Sequence, residues 1–523
     1  MEQLQHIVGG FATIAEPAVF GYLVAGFLIG TIFAAIPGLT GTLAIALILP
    51  ITYSMDVTSS LVMCAAIFMG GQYGGSITAI TVNIPGAPCA VMTAYEGNIL
   101  MRRGDGARAL RSAGLASMMG GVIGAILLMA LAPVMAQLAL YVQTPGKFSL
   151  ILFAFFVIII SNDQSISKGI VATLLGLMVA TIGIDVASSK ARQIFGVPAL
   201  VEGIDLMAVI IGAFAISELF VQVTASSPDA GAKGYSPPEK VRWSWRNFLP
   251  RGSDYSLIGT YRYIKFAMIG YFVGVLPGAG GSSAAFVAYA EAKRSSDRPE
   301  DYNNGSVEGI AAAESANNAM CGGSLVPMLT FGIPGDATSA VILGVLIING
   351  LQPGPQMMTE QFAIVTPMMA ALLVAALLIP LTLLFLGPWY MRLVSINKAV
   401  LFSGIAVIAM VGAYVSTFST FQMGAALVVG IGAYFMQKEG YPMVSFLLGF
   451  ILGPDLEVYM RRSLAITDGS PSIFFTSPDS LFFLFLTLVF FYFMVLRPWI
   501  LARRTRRSPG AGADLERTGP PLQ

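Results

Sequence analysis

The chain has 523 residues, of which 56% are hydrophobic and only 11% are charged, and its mean hydropathy is +0.76. An ordinary soluble domain carries about 25% charged residues, so this composition excludes a soluble protein of this length. A helix needs about 20 apolar residues to cross the hydrocarbon core of a bilayer. We therefore predict an all-α polytopic membrane protein with roughly ten to fourteen spans.

Charge and residue counts exclude several classes of function. The formal net charge is +1, which provides no basic field for nucleic acid. The three cysteines, Cys64, Cys89 and Cys321, form neither a disulfide framework nor a metal-ligand spacing. The only histidine is His6, so a multi-histidine metal site and a histidine base are excluded. We expect no cofactor, and no metal beyond a transported Na⁺.

Apolar stretches recur along the chain in two sets. They lie around 17–36, 113–136, 148–160, 169–186 and 204–222, and then around 363–388, 399–415, 419–436, 441–453 and 480–500. The first stretch lacks a basic region before it, so we expect no cleavable signal peptide. The polar segment between the sets and the C-terminal tail are rich in Lys and Arg, which predicts that both are cytoplasmic. The predicted organisation is a first membrane half at 1–224, a cytoplasmic linker at 225–262, a second membrane half at 263–500 and a basic cytoplasmic tail at 501–523.

An Ile/Leu-Pro-Gly tripeptide occurs four times, and its neighbours are similar in the two halves. The copies lie at 36–38, 84–86, 276–278 and 333–335. PGLTGT at 37–42 resembles PGAGGS at 277–282, and GGSITAITVNIPG at 74–86 resembles GGSLVPMLTFGIPG at 322–335. Two similar pairs in the same order predict an internal repeat.

The distribution of Lys and Arg predicts that the two repeats are inserted in opposite orientations. The segment 51–60 has no Lys or Arg, whereas the corresponding segment 291–305 has Lys293, Arg294 and Arg298. After the next motif, 101–111 is basic and 351–361 has neither residue. Opposite bias at equivalent positions is typical of inverted repeats. The exceptions, in loops that this topology places outside, are Lys190, Arg192, Arg461 and Arg462.

Pro-Gly inside an apolar segment interrupts a helix and leaves backbone polar groups unpaired. One such break would be interpreted as a plain kink, but four repeat-related breaks predict discontinuous or re-entrant helices around a midplane binding site. The free N–H groups at the start of a half-helix favour an anion, and nearby glycine lets it approach the backbone. The candidate substrate-binding residues are Pro37, Gly38, Thr40, Gly41, Thr42, Gly75, Ser76, Asn83, Pro85, Gly86, Pro277, Gly278, Gly280, Gly281, Ser282, Gly323, Ser324, Pro334 and Gly335.

The segment 311–323 places a carboxylate and two amides on one helical face. Glu314, Asn317 and Asn318 are at positions i, i+3 and i+4. They would act as a cation ligand or proton carrier, or else as an interhelical hydrogen-bond cluster or an interfacial helix end. Asp336 follows a Pro-Gly and is either a ligand or an N-cap. The candidate cation-binding residues are Glu314, Asn317, Asn318, Thr330 and Asp336, and the expected coupling ion is Na⁺ or H⁺.

Other polar residues near the apolar segments have less specific interpretations. Asn83 occupies the position of Gly332 in the second half, just before a Pro-Gly, and is assigned to the site. Glu202, Asp205 and Glu218 flank a span and are interpreted as loop or helix-end residues.

Three long motifs resemble the large permease subunit of tripartite tricarboxylate transporters, the TctA-type family. They are YGGSITAITVNIPGAP at 73–88, LPGAGG at 276–281 and AAESANNAMCGGSLVPMLTFGIPGDATSAV at 312–341. The resemblance extends over nearly the whole chain. It implies a secondary transporter of the bacterial inner membrane that takes up tri- or dicarboxylates with Na⁺ or H⁺. It also implies two partners, a small four-helix membrane subunit and a periplasmic solute-binding protein.

The prediction is therefore a permease subunit that works by alternating access around a fixed site. The alternative is a stand-alone carboxylate permease or a passive channel that needs no solute-binding protein. An intramembrane enzyme would need a nucleophile with a base or a metal cluster, which this sequence does not supply. A purely scaffolding subunit would not need four broken helices.

Overall fold

Helices joined by short loops make up nearly all of the chain in the computed structural model. The structure describes residues 2–36, 38–161, 165–185, 188–225, 258–393 and 398–497, together with Gly252, Tyr255 and Ile500. Pro37, most of the predicted cytoplasmic linker and the predicted basic tail at 501–523 lie outside the described residues.

The first half is a succession of helices with one small hairpin. The helices are α1 (Glu2–Ile14), α2 (Pro17–Ala34), α3 (Gly41–Thr52), α4 (Val57–Val82), α5 (Val91–Arg102), α6 (Gly106–Ala139), α7 (Thr144–Ser161), α8 (Ile166–Ala180), α9 (Leu206–Ile210) and α10 (Ser217–Ala225). Short 3₁₀ turns cover Pro88–Ala90 and Pro198–Leu200, and a π-helical turn at Ile211–Ile216 joins α9 to α10. Strands β1 (Gly183–Ile184) and β2 (Ala191–Arg192) pair antiparallel, so the predicted apolar stretch at 169–186 ends partly in a hairpin.

The second half is likewise a succession of long and short helices. Its helices are α11 (Thr260–Val275), α12 (Gly280–Ser295), α13 (Val307–Phe331), α14 (Ala337–Ile348), α15 (Met357–Glu360), α16 (Phe362–Leu393), α17 (Lys398–Val415), α18 (Thr420–Lys438), α19 (Met443–Ile466), α20 (Ile473–Thr476) and α21 (Pro478–Phe491). A 3₁₀ turn covers Pro299–Asp301, and a π-helical turn follows α21 at Tyr492–Leu496.

Helix length and apolarity confirm a polytopic membrane protein. Among the described residues, eight helices are long and apolar enough to cross a bilayer, and four shorter apolar helices accompany them. Two of the shorter ones are α3 and α14, each of 12 residues. At 1.5 Å per residue such a helix is about 18 Å long, which is little more than half of the hydrocarbon core.

The core is built around α4 and α13. The apolar window of α4 is 94% buried, whereas that of α21 with its π-turn is 11% buried and lies at the periphery. Almost every residue of α13 is buried as well. The two motif-bearing helices are therefore enclosed by protein on all sides.

Matching close approaches occur in the two halves. A Cβ on Gly30 of α2 would lie 2.3 Å from the Ile67 carbonyl oxygen of α4, and a Cβ on Gly270 of α11 would lie 2.0 Å from the Ala316 carbonyl oxygen of α13. Gly74 and Gly323 likewise approach the carbonyl oxygens of Thr31 and Tyr271, at 2.4 and 2.1 Å. These contacts align 74–86 with 323–335, one residue shorter than the segment that sequence similarity alone selected.

The two halves interlock through small residues. A Cβ on Gly120 of α6 would lie 2.0 Å from the Ser315 carbonyl oxygen, and one on Gly322 of α13 would lie 2.1 Å from that of Gly124. The backbones of α6 and α13 therefore touch, which only glycine permits at these crossings. The first and second halves share one core.

Two of the basic residues that violate the predicted charge bias have carboxylate partners. The Arg192 guanidinium donates two hydrogen bonds to Glu457, at 2.8 and 2.7 Å. Arg461 pairs with Glu457 and lies 3.1 Å from Asp185. Such paired arginines on the hairpin and on α19 contribute little free positive charge.

Candidate functional site

All four Pro-Gly segments interrupt a helix. α2 ends at Ala34 before the first, and α11 ends at Val275 before the third. The other two follow left-handed residues that end α4 and α13, which are Asn83 (φ 58°) and Gly332 (φ 71°). The expected equivalence of Asn83 and Gly332 therefore holds in backbone conformation, which asparagine and glycine adopt more readily than other residues.

Backbone hydrogen bonds link one pair of breaks to each other and another break to a neighbouring helix. The Gly278 N–H donates to the Gly335 carbonyl oxygen at 2.8 Å, and the Gly86 N–H donates to that of Gly75 at 3.3 Å. The contact between 278 and 335 joins two breaks of the second half. These hydrogen bonds satisfy backbone groups that the interrupted helices leave free.

A hydroxyl pair joins the two halves at the same place. The side chains of Thr42, in the first turn of α3, and Thr338, in the first turn of α14, are 2.7 Å apart. Both residues lie at the N-terminal end of a short helix, next to a Pro-Gly break. The starts of α3 and α14 therefore face each other across the boundary between the halves.

A cavity of about 460 Å³, here called the central cavity, lies where these helix starts converge. It is bordered by the N-terminal turns of α3, α12 and α14 and by the 3₁₀ turn at Pro88–Ala90. Of the candidate site residues, those in its lining are Thr40, Gly41, Thr42, Gly278, Gly280, Gly281, Ser282 and Asp336. The helices that follow three of the four Pro-Gly segments thus contribute their first turns to the lining.

The other described candidates do not line the central cavity. They are Gly38, Gly75, Ser76, Asn83, Pro85, Gly86, Pro277, Gly323, Ser324, Pro334 and Gly335, and from the cation group Glu314, Asn317, Asn318 and Thr330. Pro37 lies outside the described residues. The Gly38 carbonyl oxygen accepts a hydrogen bond from Gln222 at 3.0 Å.

Gly86 and Gly335 are packed closely against backbone atoms of neighbouring helices. A Cβ on Gly86 would lie 1.8 Å from the Ala34 carbonyl oxygen, and one on Gly335 would lie 2.4 Å from that of Gly274. Gly280 differs, because it has a positive φ of 62° and its nearest neighbour would be Asp336 Cβ at 3.8 Å. The backbone is therefore open to a ligand at Gly280 and closed to one at Gly86 and Gly335.

Most hydroxyls of the candidate set are directed back to their own helix. Ser76 donates to the Tyr73 carbonyl oxygen at 2.5 Å, Ser324 to Cys321 at 3.2 Å and Thr330 to Val326 at 2.8 Å. Thr40 caps α3, since its hydroxyl accepts from the Leu43 N–H at 3.2 Å. Thr42 and Ser282 are the candidate hydroxyls in the cavity lining that do not cap a helix.

Glu314 lies fully buried in α13, outside the lining of the central cavity. Its two carboxylate oxygens accept hydrogen bonds from Thr93 of α5 at 2.5 Å and from Ser117 of α6 at 2.9 Å. The carboxylate therefore ties three helices together. This arrangement agrees with an interhelical hydrogen-bond cluster, the alternative interpretation of Glu314. A role of Glu314 in ion coupling stays a prediction.

Asn317 and Asn318 are fully buried, and each has one unused acceptor. The Asn317 amide donates to the Gln72 carbonyl oxygen at 3.5 Å, and the Asn318 amide donates to that of Glu314 at 3.0 Å. Within the described part of the chain, neither Oδ1 has a hydrogen-bond partner. A Cβ on Gly281 would lie 2.7 Å from the Asn317 Oδ1, so this oxygen lies directly behind the cavity wall.

Asp336 is both an N-cap and a cavity residue. Its side chain accepts from the N–H groups of Ser339 at 3.0 Å and Thr338 at 3.3 Å, while Ser339 Oγ accepts from the Asp336 N–H at 2.9 Å. This capping box starts α14. The two interpretations of Asp336 do not exclude each other, because the capped carboxylate remains part of the lining.

Glu218, interpreted as a loop or helix-end residue, lies in the first turn of α10. It also lies within the apolar segment Leu206–Thr224 and lines the central cavity, where it accepts from Gln222 at 2.7 Å. It lies two residues after the π-helical turn, a feature that is frequent at functional sites and that periodicity does not reveal. Asp205, in contrast, caps α9 as expected.

Several further cavity residues were not among the candidates. They are the polar residues Gln72, Cys89, Ser161, Ser283, Thr338 and Gln437, and the apolar residues Phe68, Phe214, Met443 and Val444. Thr338 lies within the quoted motif at 312–341, whereas Ser161 and Gln437 lie in helices without any motif. Among the described residues that line the central cavity, none is Lys or Arg.

Comparison with known proteins identifies the family to which this chain is similar. The model of the tripartite tricarboxylate transporter TctA family matches residues 20–448. The chain is 34% identical over 480 residues to an uncharacterized 52.8 kDa protein in the TAR-I ttuC' 3'region of Agrobacterium vitis, covering 91% of this chain and 93% of that protein. It is also 36% identical over 236 residues to an uncharacterized protein in the TAR-II ttuC' 3'region of the same organism, covering 45% of this chain and 97% of that protein. No solved structure matches.

The family model covers every Pro-Gly segment and every residue named in the central cavity. The larger relative matches over nearly its whole length as well. The chain therefore belongs to the tripartite tricarboxylate transporter TctA family, as its large permease subunit.

Proposed function

We propose that this permease subunit imports organic anions of the tri- and dicarboxylate class, driven by a cation gradient. The observation that carries the proposal is the convergence of the N-terminal turns of α3, α12 and α14 on the central cavity. The first turn of α12 has no side-chain cap and so presents free N–H groups, and all three turns carry the partial positive charge of a helix start, which favours a carboxylate. The volume of about 460 Å³ is within the range of small-molecule sites.

The proposed anion site contains no fixed cation of its own. Asp336 and Glu218 add negative charge to the lining, and no described Lys or Arg compensates it there. A bound carboxylate therefore needs a cation beside it. Na⁺ prefers oxygen ligands, and the Oδ1 atoms of Asn317 and Asn318 have no hydrogen-bond partner among the described residues, that of Asn317 lying next to the cavity wall.

Glu314 and Thr330 complete the proposed cation group on α13. Glu314 would contribute either a charge or a transferable proton, because a carboxylate inside a membrane helix commonly serves an ion pathway. Cation binding would raise the affinity for the anion, and by linkage the anion would raise the affinity for the cation. The coupling ion would be Na⁺ or H⁺.

The proposed mechanism is alternating access in two inverted repeats of a bacterial inner-membrane protein with a cytoplasmic C-terminus. The matching glycine contacts of α2 with α4 and of α11 with α13 support the repeat. A small four-helix membrane subunit and a periplasmic solute-binding protein would be the partners. The latter would deliver the anion to the side faced by the loop at 351–361.

Uptake into proteoliposomes that contain the chain and both partners tests this function. We expect radiolabelled citrate or succinate to accumulate when a Na⁺ or H⁺ gradient is imposed, and to equilibrate only slowly without one. Uptake that is indifferent to both gradients would contradict cation coupling. Undiminished uptake after omission of the solute-binding protein would instead indicate a stand-alone permease or a channel.

A further inference from the structure

A second, smaller cavity lies on the other side of the break between α13 and α14. Its volume is about 100 Å³, and its lining includes Phe331 and Gly332 at the end of α13. The central cavity borders the same break at Asp336 and Ala337, where α14 starts. The break at 332–336 therefore separates the two cavities.

The two cavities lie at different depths along the same pair of helices. On α7, Ser161 lines the central cavity and Lys147 lines the second cavity, which is a separation of about 21 Å along the helix axis. On α19, Met443 and Asp455 are separated in the same way by about 18 Å. A ligand moving along α7 and α19 would pass from one cavity to the other.

Lys147 gives the second cavity a positive charge that the central cavity lacks. Its ammonium lies 5.6 Å from the centre of the Tyr459 ring, and Asp455 is in the same lining. No ion pair within 4.0 Å joins Lys147 to a carboxylate among the described residues. Lys147 is partly buried, its ammonium lies over an aromatic ring, and no carboxylate among the described residues is in ion-pair contact with it, so it remains able to bind an anion.

We propose that the second cavity is a waiting site in which one carboxylate group of the transported anion binds Lys147 before the anion passes the break. This inference rests on the proposed transport of organic anions. The second cavity has less than a quarter of the volume of the central cavity, so it suits one carboxylate group better than the whole anion.

Two neighbours of Lys147 suit a site of transient binding. The Tyr459 ring contacts the ammonium when no anion is present. Asp455 competes with the anion for the same cation, which weakens binding enough for the anion to leave. The loop after α14 borders the cavity, and its Gly354 N–H donates to the Leu329 carbonyl oxygen at 3.0 Å.

A thiol placed in the second cavity would report binding independently of transport. Ile347 is in the lining and 40% exposed, so Ile347→Cys in the purified full-length chain should react with a charged thiol reagent. Cys64, Cys89 and Cys321 are buried, and the parent chain gives their background rate. We expect saturating citrate or succinate, compared with chloride at equal ionic strength, to slow labelling by roughly tenfold.

Matched lysine variants then assign this protection to Lys147. Lys147→Met should abolish it, and Lys147→Arg should retain it. Lys168→Met is the control, because the Lys168 ammonium also lies over a tyrosine ring, 5.5 Å from that of Tyr441, but lines neither cavity. Protection that persists in Lys147→Met, or is missing from the parent Ile347→Cys chain with both carboxylates, would overturn the waiting site.

Transport from each side separates a binding role from a structural one. Lys147→Met should raise the KM for citrate about tenfold from the side of the 351–361 loop and leave the KM from the opposite side unchanged. Equal changes from both sides would indicate a structural role and reject the proposal. If the wild-type protein transports neither carboxylate although Lys147-dependent protection occurs, the proposed substrate class fails and the waiting site stands.

Discussion

At the scale of single residues, a carboxylate inside a membrane helix bundle is stable only when its oxygens are hydrogen-bonded. Glu314 meets this condition with the hydroxyls of Thr93 and Ser117, which come from two other helices. Each hydroxyl can also accept a hydrogen bond, so the same geometry serves a carboxylate and an uncharged amide. The two interpretations of Glu314 can therefore be separated by removing its charge alone.

We predict that Glu314→Gln reduces carboxylate uptake at least about tenfold while expression and the thermal unfolding temperature stay near the wild-type values. The glutamine amide can donate to one hydroxyl and accept from the other, so α5, α6 and α13 stay connected. Gradient-driven uptake in proteoliposomes and unfolding in detergent are the two measurements. Glu300→Gln is the control, because Glu300 is exposed and remote from both cavities. Wild-type uptake by Glu314→Gln would leave Glu314 a purely structural role.

The three polar residues of α13 show what helical spacing can predict and what it cannot. The spacing of Glu314, Asn317 and Asn318 predicts one face, and all three are buried in the structure. It does not predict what each residue meets, because that depends on helices far away in sequence. Glu314 meets two hydroxyls, whereas Asn317 comes to lie behind Gly281 at the cavity wall.

At the scale of elements, the ends of the broken helices could be predicted because their causes are local. Proline lacks an N–H group and glycine tolerates a positive φ, so helix ends occur at 34, 82, 275 and 331. The partners of those ends could not be predicted. Gly86 and Gly335 lie against carbonyl oxygens of α2 and α11, which makes them packing residues rather than open ligand contacts.

We predict that Gly335→Ala lowers the free energy of unfolding by about 1–3 kcal/mol, because the added methyl group meets backbone on two sides. It would lie 2.4 Å from the Gly274 carbonyl oxygen and 2.7 Å from Ser324 Cα. The measurement is thermal unfolding of the purified protein in detergent.

Gly432→Ala is the matched control, because a Cβ at this position in α18 has no neighbour within 4 Å. Alanine is also the better helix former, so this variant should unfold at the wild-type temperature or slightly above it. Equal unfolding temperatures for Gly335→Ala and wild type would show that the second-half break adapts to a side chain.

At the scale of the whole molecule, the halves are joined by contacts along their lengths and not only by the linker. The backbones of α6 and α13 touch at Gly120 and Gly322, and the hydroxyls of Thr42 and Thr338 join the two short helices. Charge counts and repeated motifs predict two halves. They do not predict this interlocking, since glycine crossings depend on three-dimensional approach rather than on hydropathy.

We predict that the halves 1–224 and 263–523, produced in one cell as separate chains, assemble into a protein that takes up carboxylates. Each half alone should be degraded or aggregate, because α6 without α13 exposes a glycine-lined surface to lipid. Co-purification of an untagged half with its tagged partner, followed by uptake, measures the assembly. A single half that purifies as a stable monodisperse species would argue against a shared core.

The pair of carboxylates in the central cavity has a consequence for the sequence of events in one transport cycle. With Asp336 and Glu218 in the lining and no described Lys or Arg beside them, the empty cavity would repel anions when both carboxyl groups are ionised. Under the proposed coupling, a cation would bind first and offset this charge before the organic anion enters. After both have reached the other side, departure of the cation would restore the repulsion and favour release of the anion. In this order the cation would bind before the anion, and the anion would be released after the cation. The negative charge of the two carboxylates would favour that release.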